Sequence, residues 1–217
     1  MTLITIGDSI TRGTYTAPQE SSPNSIASPT FSQLLQIGLG ADKLINYGKN
    51  GVSVSALSPV MTEHAFSQRW QETENADIIL IAAGTNDFGT NVPLGEASDC
   101  TDVSFYGALD VLFCGLRQKN PHAEIYAVTP LHRKGDQANA LGIPLSKYAQ
   151  AIFQKAIQND IIPINGFDIP IDPNTEEHCK LYAKDGVHPN AEGHRIYAKA
   201  LLDFISQARR NKKGDPK

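Results

Sequence analysis

Leu3-Ile4-Thr5-Ile6-Gly7-Asp8-Ser9-Ile10 is the stretch on which the fold turns. Its first four residues are apolar or β-branched and suit a buried strand, and Gly7-Asp8-Ser9 stops that strand with turn-forming residues. Runs of the same character recur at 44–47, 78–82, 125–129 and 161–164. Between them lie stretches of helical periodicity, at 31–39, 105–119, 145–158 and 191–208. Strands alternating with helices predict an α/β domain built on a parallel sheet. Right-handed crossovers would place helices on both faces and leave the C-terminal strand ends as an open rim. The expectation is a flavodoxin-like three-layer α/β/α sandwich of five parallel strands in the order 2-1-3-4-5. In the last helix Ile196, Ala200 and Phe204 recur at helical spacing with Leu201 and Ile205 beside them, a face predicted to pack on the sheet.

A chain of 217 residues with 41% hydrophobic content has the length and composition to bury a core without metal or disulfide staples. We read 1–208 as a single domain and 209–217 as a basic tail. Cys100, Cys114 and Cys179 are odd in number and match neither a zinc nor a redox spacing, so no disulfide framework is expected. Cys114 lies in an apolar helical stretch and reads as a core residue; Cys179 comes close in sequence to Asp185. Thr2 to Ile6 runs directly into the Ser9 block, with no signal peptide, and no apolar run approaches the ~20 residues of a membrane span. A cytoplasmic protein is therefore expected. Net charge is −4, and the tail holds five of the basic residues, so the body lacks the basic face that nucleic acid requires.

Three blocks carry chemistry: Gly7-Asp8-Ser9-Ile10, Gly84-Thr85-Asn86-Asp87 and Asp185-Gly186-Val187-His188. They supply a serine, an amide donor and an acid–histidine pair. A serine hydroxyl is a weak nucleophile and needs a base within hydrogen-bond reach, itself oriented by an acceptor. Asp185 and His188, three residues apart, can meet in one turn, with Gly186 allowing the bend and Asn190 placed to cap the following helix. Asn86 and Asp87 also favour turns, so Asp87 is expected to brace the loop while Asn86 points outward. Asp8 reads as structural, tying loop amides, and Arg12 as a surface cation. The remaining histidines, His64, His122, His132, His178 and His194, lack metal-ligand spacing and read as solvated or satisfied. No metal and no cofactor are expected.

The order and spacing of these blocks, with Asn46-Tyr47-Gly48-Lys49-Asn50-Gly51 between the first and second, resemble an SGNH hydrolase of the GDSL esterase/lipase family. Ile10 in place of leucine is the one visible departure. The resemblance implies Ser9 as nucleophile, His188 as base and Asp185 as its partner. It also implies an oxyanion hole from the Ser9 amide, the Gly51 amide and the Asn86 side chain. Gly51 fits best, and Gly48 is the other glycine of that run. An α/β-hydrolase elbow would need Gly-x-Ser-x-Gly, and a nucleotide site a glycine-rich or Walker motif; neither occurs. The expected substrate is a short-chain acyl ester, with carbohydrate O-deacetylation as the natural type. A lipase, lysophospholipase or thioesterase of the same family is the alternative, and an inactive carbohydrate-binding relative the non-enzyme one. Long polar connections at 14–29, 88–104, 131–146 and 165–184 are expected to shape the substrate rim.

Overall fold

The computed structural model describes residues 1–15 and 25–213. Five strands, β1 (Thr2–Gly7), β2 (Lys43–Asn46), β3 (Ile78–Ala82), β4 (Glu124–Val128) and β5 (Ile162–Ile164), form one parallel sheet in the order β2-β1-β3-β4-β5. That is the expected 2-1-3-4-5 arrangement, and each strand lies within a residue or so of its predicted place. Four long helices, α1 (Phe31–Leu39), α2 (Phe105–Lys119), α3 (Leu145–Gln158) and α4 (Ala191–Lys213), complete the layers.

The two-residue period of a strand divides the core. Leu3, Ile78, Leu80, Tyr126 and Val128 face α1 and α4, meeting Phe31, Leu35, Tyr197, Leu201 and Ile205. Their neighbours Ile4, Ile6, Ile79, Ile81 and Ile125 face α2 and α3, meeting Leu109, Leu112, Phe113, Tyr148 and Ile152. A sheet covered on both sides needs near-continuous apolar strands, which is why these runs barely alternate. Helix starts are fixed locally. Thr30 and Gln33 make a capping box at α1, and the Ser104 hydroxyl accepts from the Gly107 amide at α2.

Three sequence expectations change here. The buried stripe of α4 is Tyr197, Ala198, Leu201 and Ile205, whereas Ile196, Ala200 and Phe204 lie on its flank, only partly covered. Both stripes have helical spacing, and only the direction from which the sheet approaches chooses between them. The helix also continues to Lys213, past the predicted end at 208, and Arg209 Nε donates to Glu124 Oε2 at 2.8 Å. Residues 214–217 of the expected tail lie outside the described residues. Finally, Cys114 is half-buried on α2 beside Gln118 rather than a core residue, and all three cysteines are free. Of the connection 14–29, residues 16–24 lie outside the described part; Thr14–Tyr15 and Ser25–Ile26 pair as a short antiparallel ribbon. Among the described residues no helix is long and apolar enough to cross a membrane.

Candidate active site

At the end of β1 the chain turns at once into a short helix, Ser9–Arg12, capped by Asp8, whose Oδ1 accepts the Ile10 amide at 2.8 Å. Gly7 is required by packing, since a Cβ there would fall 2.3 Å from the Ala82 carbonyl of β3. Asp8 is buried, and burial pushes its carboxyl up to about 6 against the opposing pull of the Ile10 amide and of His188. It ties loop amides, as expected of a structural residue. Arg12 is exposed.

Two residues after β3 stands Gly84, whose φ of +105 suits only glycine, and it opens the short helix Thr85–Gly89. Asn86 Nδ2 donates to the Val52 carbonyl at 2.9 Å. Asp87, fully buried, accepts the Val54 and Ser55 amides at 3.0 Å each. Burial pushes its carboxyl up to about 7, opposed by those same amides. The Asn86-Asp87 pair therefore staples the loop after β2, which carries both glycines of the Asn46–Gly51 run, to the end of β3. The Gly48 amide is spent on Asn46 Oδ1 at 2.8 Å, and a Cβ at Gly48 would collide with the Arg12 backbone at 2.3 Å. Gly51 sits in the left-handed region at φ +74, and its amide meets no acceptor among the described residues.

The third block folds as its spacing predicted. Asp185 Oδ1 accepts the Val187 and His188 amides at 2.8 and 3.1 Å, while Oδ2 meets His188 Nδ1 at 2.7 Å. Burial would raise the Asp185 carboxyl, but the imidazole and the two amides overcome it and hold it at about 2. His188 Nε2 then lies 2.7 Å from Ser9 Oγ. Gly186, at φ +65, makes the bend, and its carbonyl accepts the Lys134 amide at 2.9 Å. Asn190 Oδ1 accepts the Glu192 and Gly193 amides, so the histidine is mounted directly before a capped α4.

Sequence reasoning missed Arg133. Its Nη1 donates to the Thr85 carbonyl at 3.0 Å and hydroxyl at 3.2 Å, and its guanidinium lies 5.5 Å over the Phe88 ring. Arg133 thus braces the turn that carries Asn86, a role that an isolated arginine in a polar loop does not advertise. His194 is also not the solvated or satisfied residue expected. It is fully buried, Nδ1 accepts the Phe31 amide at 3.2 Å, and Nε2 has no partner among the described residues. Burial drives its basicity down to about 4, with His188 adding to the shift. The folded protein therefore binds fewer protons here than the unfolded chain between pH 6.5 and about 4, and stability from this group is lost as pH falls through that window. His194→Gln keeps a neutral acceptor for the Phe31 amide, so its melting temperature should fall less than the wild type's between pH 7 and pH 5. Parallel thermal melts check this. Among the described residues no three His, Cys, Asp or Glu side chains converge as metal ligands.

A serine, an imidazole and a carboxylate are joined in a line at the C-terminal rim of a 2-1-3-4-5 parallel sheet, an arrangement that suits chemistry by an activated serine. The chain belongs to the GDSL-like Lipase/Acylhydrolase family, whose profile matches residues 5–196. It is thus an ester hydrolase of the esterase/lipase kind, and the family resemblance read from the sequence holds. Among solved structures, a protein from Lactobacillus plantarum is 27% identical with a TM-score of 0.81, covering 94% of this chain and 96% of that one. A possible lipase from Chitinophaga pinensis is 22% identical with a TM-score of 0.72, covering 95% and 98%. The native M. smegmatis aryl esterase shares the fold at 17% identity and a TM-score of 0.65, again covering 95% and 98%. No curated protein sequence matches the chain.

Proposed function

We propose that the protein hydrolyses short-chain acyl esters through an acyl-enzyme on Ser9. The observation that carries this reading is the continuous chain Ser9 Oγ, His188 Nε2, His188 Nδ1, Asp185 Oδ2, with 2.7 Å at each hydrogen bond. His188 accepts the Ser9 proton as Oγ bonds to the ester carbonyl carbon, giving a tetrahedral oxyanion. As that intermediate collapses, the carbon–oxygen bond to the alcohol breaks and His188 passes the proton to the departing alcohol oxygen. Water then attacks the acyl-serine by the same route, releasing the acid and restoring the Ser9 hydroxyl. Asp185 holds the imidazole in the tautomer with its proton on Nδ1.

Three donors are available for the oxyanion. The Ser9 and Gly51 amides have no acceptor among the described residues, and Asn86 spends one of its two amide hydrogens on Val52. That Gly48 has already committed its amide favours Gly51 as the backbone donor. Asn86→Ala should lower kcat by about 10² to 10³ with KM little changed, as for loss of one oxyanion donor. Steady-state kinetics on a p-nitrophenyl ester read the split; a rise in KM at constant kcat would make Asn86 a ground-state contact instead.

For the substrate, polar connections around the site, including Arg133, Lys134 and Asp136 after β4, suit a polar alcohol better than a second acyl chain. A carbohydrate acetate is the natural type we propose. Acetyl to butyryl p-nitrophenyl esters should be preferred over chains beyond about eight carbons, since each further methylene needs apolar wall worth ~0.8 kcal/mol. A steady rise of kcat/KM with chain length would replace this reading with a lipase or lysophospholipase.

A further inference from the structure

We propose that Val60 and Met61 form the wall on which the acyl group rests during turnover, an inference that builds on the ester-hydrolase reading above. The sheet order sets the sides of the site. β2 lies on one side of β1, while β3, β4 and β5 lie on the other. The loop after β2, with Gly51, Val60 and Met61, therefore flanks Ser9 on one side. The His188 turn is fixed to the loop after β4 through the Lys134 amide and the Gly186 carbonyl, at 2.9 Å, and flanks it on the other. His188 has to deliver its proton to the leaving alcohol oxygen, so the alcohol departs on the His188 side. The oxyanion, held among Ser9, Gly51 and Asn86, and the acyl chain beside it then share the side away from His188, which is the side of the loop after β2.

On that side the side chains that border Gly51 are apolar. A Cβ added to Gly51 would lie 3.4 Å from Val60 Cγ1 and 3.6 Å from Met61 Cγ. Val60 is 45% exposed, an aliphatic side chain left open to solvent next to Gly51. Met61 holds a left-handed backbone at φ +56, a conformation that long side chains seldom adopt. The turn is secured at several points: the His64 amide donates to the Met61 carbonyl at 2.9 Å and the Thr62 hydroxyl to the Ser58 carbonyl at 2.7 Å. The Val60 amide donates to Ser58 Oγ at 3.3 Å, and Thr90 Oγ1 lies 3.1 Å from the same Oγ. Thr90 directly follows the short helix that presents Asn86, and its hydroxyl donates to the Asn86 carbonyl at 2.8 Å, which links the Ser58 to Met61 turn to that helix. Two side chains of this size cover only the first few carbons of an acyl chain, while the opposite side carries the polar loop after β4, residues Arg133 to Asp136.

The test uses two ester series on the full-length protein: p-nitrophenyl acetate to hexanoate, which varies the acyl group, and acetate esters of methanol, ethanol and phenol, which vary the alcohol. Val60→Asp should lower the butyrate-to-acetate ratio of kcat/KM by about tenfold, the size expected from two methylenes denied an apolar surface. The ratios along the alcohol series should stay within about twofold. Val60→Ser, a smaller change at the same exposed position, should move the acyl ratio the same way by less, and thermal melts establish that both variants fold. An unmoved acyl ratio in folded variants, or a shift confined to the alcohol series, overturns the acyl wall while Ser9-dependent turnover leaves the esterase reading standing. Absence of Ser9-dependent turnover in the wild type overturns both.

Discussion

Ser9→Ala is expected to abolish ester turnover, with a loss on the order of 10⁴ to 10⁶, and to abolish covalent labelling by a fluorophosphonate probe. The substitution removes one oxygen whose hydrogen-bond partner is His188 Nε2. The surrounding turn does not depend on that oxygen: Asp8 caps the helix through the Ile10 amide, and Gly13 closes it by donating its amide to the Ser9 and Ile10 carbonyls. Folding should therefore survive, with a melting temperature close to that of the wild type. Mass spectrometry of the labelled wild type should place the probe on Ser9, and labelling that persists in the alanine variant would move the nucleophile elsewhere.

Much of this was legible from the residues because the relevant signals are local. Strand runs end in Gly-Asp-Ser or in Gly-Thr-Asn, and an acid three residues before a histidine can only meet it within one turn. What was not legible depends on approach directions in space. The stripe Ile196, Ala200 and Phe204 was as periodic as Tyr197, Leu201 and Ile205, yet the sheet covers the second. Arg133 sits in a polar loop and becomes a brace only because β4 lies beside β3, which brings it onto Thr85. His194 lacks metal-ligand spacing and so reads as solvated or satisfied, whereas α1 packs over it and supplies the Phe31 amide. Which of the Gly48 and Gly51 amides is already bonded is likewise a fact of the folded loop, which spacing alone cannot give.

The second large effect concerns the histidine and its acid. His188→Ala should cost nearly as much as loss of the serine, because the base and nucleophile act as a unit. From sequence alone, Asp185→Asn had room to be mild, since a backbone carbonyl could take over the imidazole. Among the described residues there is no such substitute: the one partner of Nδ1 there is Asp185 Oδ2, at 2.7 Å. An asparagine amide at that position presents a donor to Nδ1 and favours the wrong tautomer, with the proton on the nitrogen that must accept from Ser9. The expected loss in kcat is then about 10⁴. Asp185 also caps its own turn, since Oδ1 accepts the Val187 and His188 amides. Asn retains an oxygen for that cap, whereas Ala does not. Asp185→Asn should therefore lose activity while keeping its melting temperature, and Asp185→Ala should lose both, with about 1 to 2 kcal/mol of stability missing. Kinetics and thermal melts on the two variants separate the roles: near-wild-type turnover in Asp185→Asn would reduce Asp185 to a loop cap and leave His188 to find its orientation elsewhere.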